Sequence, residues 1–154
     1  MGRIDARLAE LGITLPAAPA PAANYVPFVK SGSHVYISGQ ISQTAEGLTK
    51  GRLGDGMTVE AGAAAARSCG LSILAQLRVA CDGDLDRVVR AVKLTAFVNS
   101  TPDFTEQPKV VNGCSDLMVE VLGDAGRHAR SAVSAPSLPL GVAVEIDAIF
   151  EVRG

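Results

Sequence analysis

Val142-Ala143-Val144-Glu145-Ile146-Asp147-Ala148-Ile149-Phe150-Glu151-Val152 is the stretch on which the fold turns. Val142, Val144, Ile146, Ala148, Phe150 and Val152 take alternate positions, with Ala143, Glu145, Asp147, Ile149 and Glu151 between them. A period of two sends the two sets to opposite sides of a strand, so this is a sheet strand with one wholly apolar face. Such a face must be covered by another layer.

Two helical patterns further up the chain can supply that layer. In Val59 to Ala80, the residues Ala63, Ala66, Gly70, Ile73, Leu74 and Leu77 form one stripe, Thr58 is positioned to cap and Glu60 lies in the first turn. From about Phe104 to Leu122 the stripe is Val110, Cys114, Leu117, Met118 and Val121, with Pro108 tolerable near the helix start.

The remaining strands are shorter. Val88 to Asn99 alternates, with Val92, Leu94, Ala96 and Val98 expected on one face. Arg130 to Ala135 reads as a strand before the turn Pro136 to Gly141. Tyr25 to Val29, the turn Ser31-Gly32-Ser33 and Val35 to Ser38 read as a hairpin whose first strand Pro27 confines to an edge. Residues 43–57 carry four glycines and read mostly as loop. Residues 3–12 look like a short helix, and 16–23, PAAPAPAA, like an extended connector. The expected organisation is an N-terminal helix and Pro/Ala connector over 1–23 and a main domain over 24–154. The order hairpin, helix, strand, helix, strand, strand implies a two-layer α+β domain with two long helices on one face of the sheet.

Composition removes several function classes. The chain has 154 residues, a formal net charge of −2, 4% aromatics and no tryptophan. Phosphate-driven binding of nucleic acid is disfavoured, and little is left for base stacking. Cys69, Cys81 and Cys114 form no CxxC pair, and their odd number argues against a disulfide framework and for a reducing compartment. They sit on or beside apolar helical stripes and read as core residues. With two histidines, His34 and His128, no metal site is expected. No run approaches the ~20 apolar residues of a membrane span. The charged start, with Arg3, Asp5 and Arg7, lacks the apolar segment of a secretory signal. The expected location is the cytoplasm, with no membrane partner.

The chemistry-bearing residues are few. Gly51-Arg52-Leu53-Gly54-Asp55-Gly56 has the wrong spacing and context for a nucleotide loop. Arg130 opens a strand after a glycine-rich loop, and Glu145 lies on the polar face of the last strand. An arginine fork can hold a carboxylate bidentately, and a glutamate can orient a water or move a proton. The pair reads either as a site for a small carboxylate-bearing substrate or as a surface cross-strand ion pair. His128 reads as a surface histidine. Ile149 and Ala143 leave the outer face of the last strand partly apolar, as a sheet-to-sheet contact would require.

Ser38-Gly39-Gln40 after a strand, Asn112 in the second helix, Ala129-Arg130-Ser131 leading to Leu138-Pro139, and Val144 to Ile149 together resemble the Rid family, also called YjgF-like or L-PSP endoribonuclease-like, over about residues 20–152. The resemblance implies a chorismate-mutase-like fold with a mixed sheet, and a homotrimer whose sheets line a barrel with ligand clefts between subunits. It implies a cofactor-free enamine/imine deaminase that hydrolyses small 2-imino acids to 2-keto acids and ammonia. In that reading Arg130 clamps the substrate carboxylate and Glu145 positions the water. Ser38 and Gly39 line the cleft with Asn112 nearby, and Phe28 and Ala132 occupy positions where active deaminases carry a tyrosine and often a cysteine. Tyr25 is a candidate substitute for the missing hydroxyl. The alternatives are a non-catalytic trimer that binds small carboxylates and, less favoured by the acidic composition, an RNA-cleaving translation inhibitor.

Overall fold

The structure, a computed structural model, describes residues 2–21 and 23–154. Its elements are α1 (Arg3–Glu10), β1 (Phe28–Ser31), β2 (His34–Ile41), β3 (Gln43–Thr44), β4 (Gly47–Leu48), α2 (Val59–Ala80), β5 (Val88–Asn99), α3 (Gln107–Leu122), β6 (Ala129–Ala135) and β7 (Val144–Val152). Five strands form one mixed sheet in the order β1-β2-β7-β5-β6, and β3 and β4 form a separate small hairpin. Within this sheet only β5 and β6 pair in parallel, as the intervening α3 crossover requires. The fold is the expected α+β arrangement, with α2 and α3 packed together on one face of the sheet.

The last strand behaves as its pattern dictates. Val144, Ile146, Ala148, Phe150 and Val152 are buried beneath the helices, and the residues between them are half-buried on the other face. Thr58 caps α2 by accepting from the Ala61 N–H at 3.1 Å. The helices approach closely because Gly113 has no side chain: a Cβ there would lie 2.0 Å from the Ala63 carbonyl oxygen.

Several local expectations shift. β1 begins at Phe28 rather than Tyr25, because the carbonyls of Val26 and Pro27 accept from the Ser38 hydroxyl and N–H instead of joining a ladder. In β5 a bulge lies between Ala91 and Lys93, so Ala91 takes the core position and Val92 is only half-buried. Ala143 is fully buried ahead of β7 and does not contribute to the outer face, whereas Ile149 does. The open face carries exposed Val29, Tyr36 and Val133.

The N-terminal segment is bound into the body. Ile4, Leu8 and Leu15 belong to the same buried cluster as the sheet and helices. The Asp86 carboxylate accepts from the backbone N–H groups of Arg3 and Ile4, both at 2.8 Å, and so caps the free end of α1 from a distant loop. No helix among the described residues is long and apolar enough to cross a membrane.

Candidate functional site

Arg130 stands on the helix-facing side of the edge strand β6. It is in register with Leu94, which is fully buried under the helices. Its guanidinium reaches α3, where Nη1 donates to Asn112 Oδ1 at 2.8 Å and to Ser115 Oγ at 3.0 Å, and Nη2 donates to the Pro108 carbonyl at 3.2 Å. All three acceptors are neutral, and none of the ion pairs among the described residues involves Arg130. Nε–H and one Nη2–H are left over, adjacent donors of the kind that grip a carboxylate side-on. Arg130 is itself part of the wall of a shallow depression of about 320 Å³, with Asn112, Ser115, Asp116, Val119, Arg127 and His128.

The same cluster contains a directional relay. His128 Nδ1 lies 2.6 Å from the Gly126 carbonyl, which can only accept, so Nδ1 carries the proton. In the neutral ring Nε2 then accepts from the Ser115 hydroxyl at 2.9 Å, and Ser115 Oγ remains an acceptor for Arg130. Sequence reading missed Ser115 and took His128, two residues before Arg130, for a surface histidine; Ser115 lies one helical turn beyond Asn112, and that spacing was the available signal.

Glu145 belongs to a different surface. It alternates with buried Val144 and Ile146 and is in register with Phe97 and Ile41, so it points to the open face of the sheet. β5 separates β6 from β7. A cross-strand pair between Arg130 and Glu145 is therefore ruled out, and a single protomer does not bring the two together. Burial, and secondarily the negative charge of Asp147, push the Glu145 carboxyl above its ordinary value. That moves it toward the range in which a carboxylate accepts a proton from water near neutrality.

A cavity of about 280 Å³ lies beside Glu145, with Gly39, Gln40, Tyr25, Pro27 and Leu140 among its walls. Ser38 and Gly39 form a β-bulge, where the register with β7 shifts between Ile37 and Gln40. A Cβ at Gly39 would lie 2.1 Å from Glu145 Oε2, so only glycine admits the carboxylate there. Ser38 spends its hydroxyl proton on the Val26 carbonyl at 2.8 Å, so its role is to hold the Tyr25–Pro27 loop rather than to donate to a ligand. Phe28 is not a wall of this cavity. It pairs with Ile37 and packs against the core, and Tyr25 supplies the aromatic wall instead.

A family model described as "YjgF/chorismate_mutase-like, putative endoribonuclease" matches residues 5–151. The chain belongs to this YjgF/Rid family. Protein TCP17 of Trypanosoma cruzi is 53% identical over 154 residues, covering 99% of this chain and 96% of that protein. The crystal structure of Atu1372 from Agrobacterium tumefaciens, a protein of unknown function, is similar with a TM-score of 0.89 at 46% identity, over 97% of this chain and 94% of that one. A structure of E. coli TdcF with bound serine is similar with a TM-score of 0.62 at 27% identity, over 89% and 94%.

The YjgF/Rid match reaches into α1, beyond the span that the sequence motifs alone carried. Ala132 lies on the same side of β6 as Arg130 and packs against the core. The three cysteines of this YjgF/Rid chain are buried, and burial raises the thiols of Cys69 and Cys81 and pushes that of Cys114 up to about 12. None is suited to nucleophilic work. Among the described residues no group of three or more His, Cys, Asp or Glu side chains could hold a metal ion.

Proposed function

We propose that this protein is an enamine/imine deaminase, converting small 2-imino acids and water to 2-keto acids and ammonia in clefts between the subunits of a homotrimer in the cytoplasm. The observation that carries the reading is Arg130: a guanidinium held in place by three neutral acceptors, with adjacent donors left over for an anion. The substrate carboxylate binds that fork. The iminium carbon is already electrophilic, so the protein need only place a water and receive its proton. Glu145, with its raised carboxyl, is suited to that task. Glu145 then passes that proton to the amine nitrogen of the tetrahedral adduct, which collapses to the ketone as ammonia leaves and the hydroxyl proton is released to water.

Arg130 and Glu145 occupy opposite faces of one sheet, so a working site needs Arg130 from one protomer and Glu145 from another. The open face, with Val29, Tyr36 and Val133 at 52%, 46% and 45% exposure, supplies the apolar surface for such an assembly. The serine bound to TdcF is a carboxylate-bearing molecule of the proposed size.

The test generates 2-iminopropionate in situ and follows its decay. Wild type should accelerate hydrolysis, and Arg130→Ala should lower kcat/KM by roughly 100-fold, the scale of a lost charge-assisted bidentate contact. No acceleration by wild type would leave a carboxylate-binding protein instead. A monomer in light scattering at micromolar concentration would leave the cleft incomplete and remove the intersubunit site.

A further inference from the structure

The cavity beside Glu145 has a wall that water attack on an imine does not require. Pro19, Ala20, Pro21, Pro27 and Leu140 line it, and among the described residues of the protomer no Lys or Arg does. At about 280 Å³ it is far larger than the ~30 Å³ share of one water.

Leu140 is the residue in this wall that folding does not explain. Its φ of 60° and ψ of 12° place it in the left-handed region, and it is 62% exposed. A branched apolar side chain held in a disfavoured backbone conformation, with most of its surface in solvent, contributes little to the core. Such strain collects where a side chain is presented for function.

The facing wall is fixed in place from below. Gln76, 1% exposed, donates from Nε2 to the Pro19 carbonyl at 2.6 Å. The same amide is 3.5 Å from Gln40 Oε1, and Gln40 Nε2 donates to the Ser38 carbonyl at 2.9 Å. The connector is thus tied to the strand that carries Gly39, and its prolines restrict φ further. A stiff apolar wall of this kind loses little freedom when a ligand packs on it.

We propose that Leu140 and the connector residues Pro19 and Pro21 form a side-chain subsite that selects 2-imino acids with branched or extended apolar side chains over the methyl-bearing one. This rests on the deaminase reading above and names its substrate class. Acidic side chains are excluded, because the Arg130 of the facing protomer is taken by the α-carboxylate, this wall offers no second cation and the Glu145 carboxylate repels them.

The experiment compares imines generated in situ from alanine, leucine and aspartate by the matching amino-acid oxidases. Wild type should show kcat/KM at least about tenfold higher for the leucine-derived imine than for the alanine-derived one, the discrimination expected of an apolar pocket. The aspartate-derived imine should be the poorest substrate. Leu140→Asn should collapse the leucine-to-alanine ratio about tenfold without lowering the thermal midpoint, because asparagine tolerates positive φ better than leucine. A wild-type preference for the alanine imine, an unchanged ratio in the variant, or a lowered midpoint would overturn the subsite while leaving the deaminase reading in place. No acceleration with any imine would overturn both.

Discussion

Arg130 Nη1 and Ser115 Oγ are 3.0 Å apart, and that contact makes the orientation of the guanidinium depend on a histidine to which it does not hydrogen-bond. Ser115 has one proton. The structure sends it toward His128 Nε2, which leaves the oxygen to accept from Arg130. Removing His128 frees the hydroxyl to rotate, and removing Ser115 removes one of the three restraints on the clamp. Ser115→Ala and His128→Ala should each raise KM for the imine about three- to tenfold, the scale of one neutral hydrogen bond, with kcat within about twofold. His128→Gln, whose amide oxygen can accept from Ser115, should restore most of the loss. Nitrogen-15 NMR should show His128 protonated at Nδ1 in the neutral ring; a spectrum with the proton at Nε2 would break the relay.

Gly39 is required by its neighbour rather than by its own backbone. With Glu145 Oε2 at 2.1 Å from where a Cβ would stand, Gly39→Ala must displace the carboxylate. A shift of ~1 Å at a reacting group can cost about 100-fold in rate, so the variant should lose roughly that much kcat while remaining folded by circular dichroism. Near-wild-type kcat would show that the Glu145 position is immaterial to the chemistry.

Glu145 also makes the stability of the fold depend on pH. Burial first, and the charge of Asp147 second, raise its carboxyl in the native state. The folded state therefore holds the proton more tightly than the unfolded state does. The stability from this group is present at low pH and lost as pH rises through the folded value. Glu145→Gln should match wild type at about pH 4, near the ordinary carboxylate value, and melt higher than wild type by pH 8. Calorimetry over that range checks it; curves that stay parallel at all pH values would contradict the raised carboxyl.

Asp86 titrates with the opposite sign. The backbone N–H groups of Ile4 and Arg3 donate to its carboxylate and lower it from the usual range. Its contribution is present above the ordinary carboxylate value and lost as pH falls through the lowered folded one. Asp86→Ala should release α1 at neutral pH. Trypsin should then cut at Arg7, whose guanidinium Nε is otherwise held by the Glu120 carbonyl at 2.8 Å, well before the rest of the domain is digested. Equal cleavage rates for variant and wild type would show that Ile4 and Leu8 hold the helix without the cap.

Local pattern determined much of this protein. The alternation of Val144 to Val152, the Thr58 cap and stripe of α2, and the turn chemistry around Pro139 each follow from short-range periodicity, and all appear in the structure. The order of Ser38-Gly39, Asn112, Arg130 and Glu145 along one chain was enough to suggest the YjgF/Rid family. Tertiary structure alone decided which residues share a site. It set Arg130 in register with Leu94 and Glu145 with Phe97, three residues apart on the intervening β5 and so on opposite faces, turned Phe28 inward, spent the Ser38 proton on a loop, and drew Ser115 and His128 under the clamp. Periodicity reports which side of an element a residue occupies, because that depends on the local backbone. Strand order and long-range hydrogen bonds depend on how distant elements pack, and no short stretch of sequence carries them.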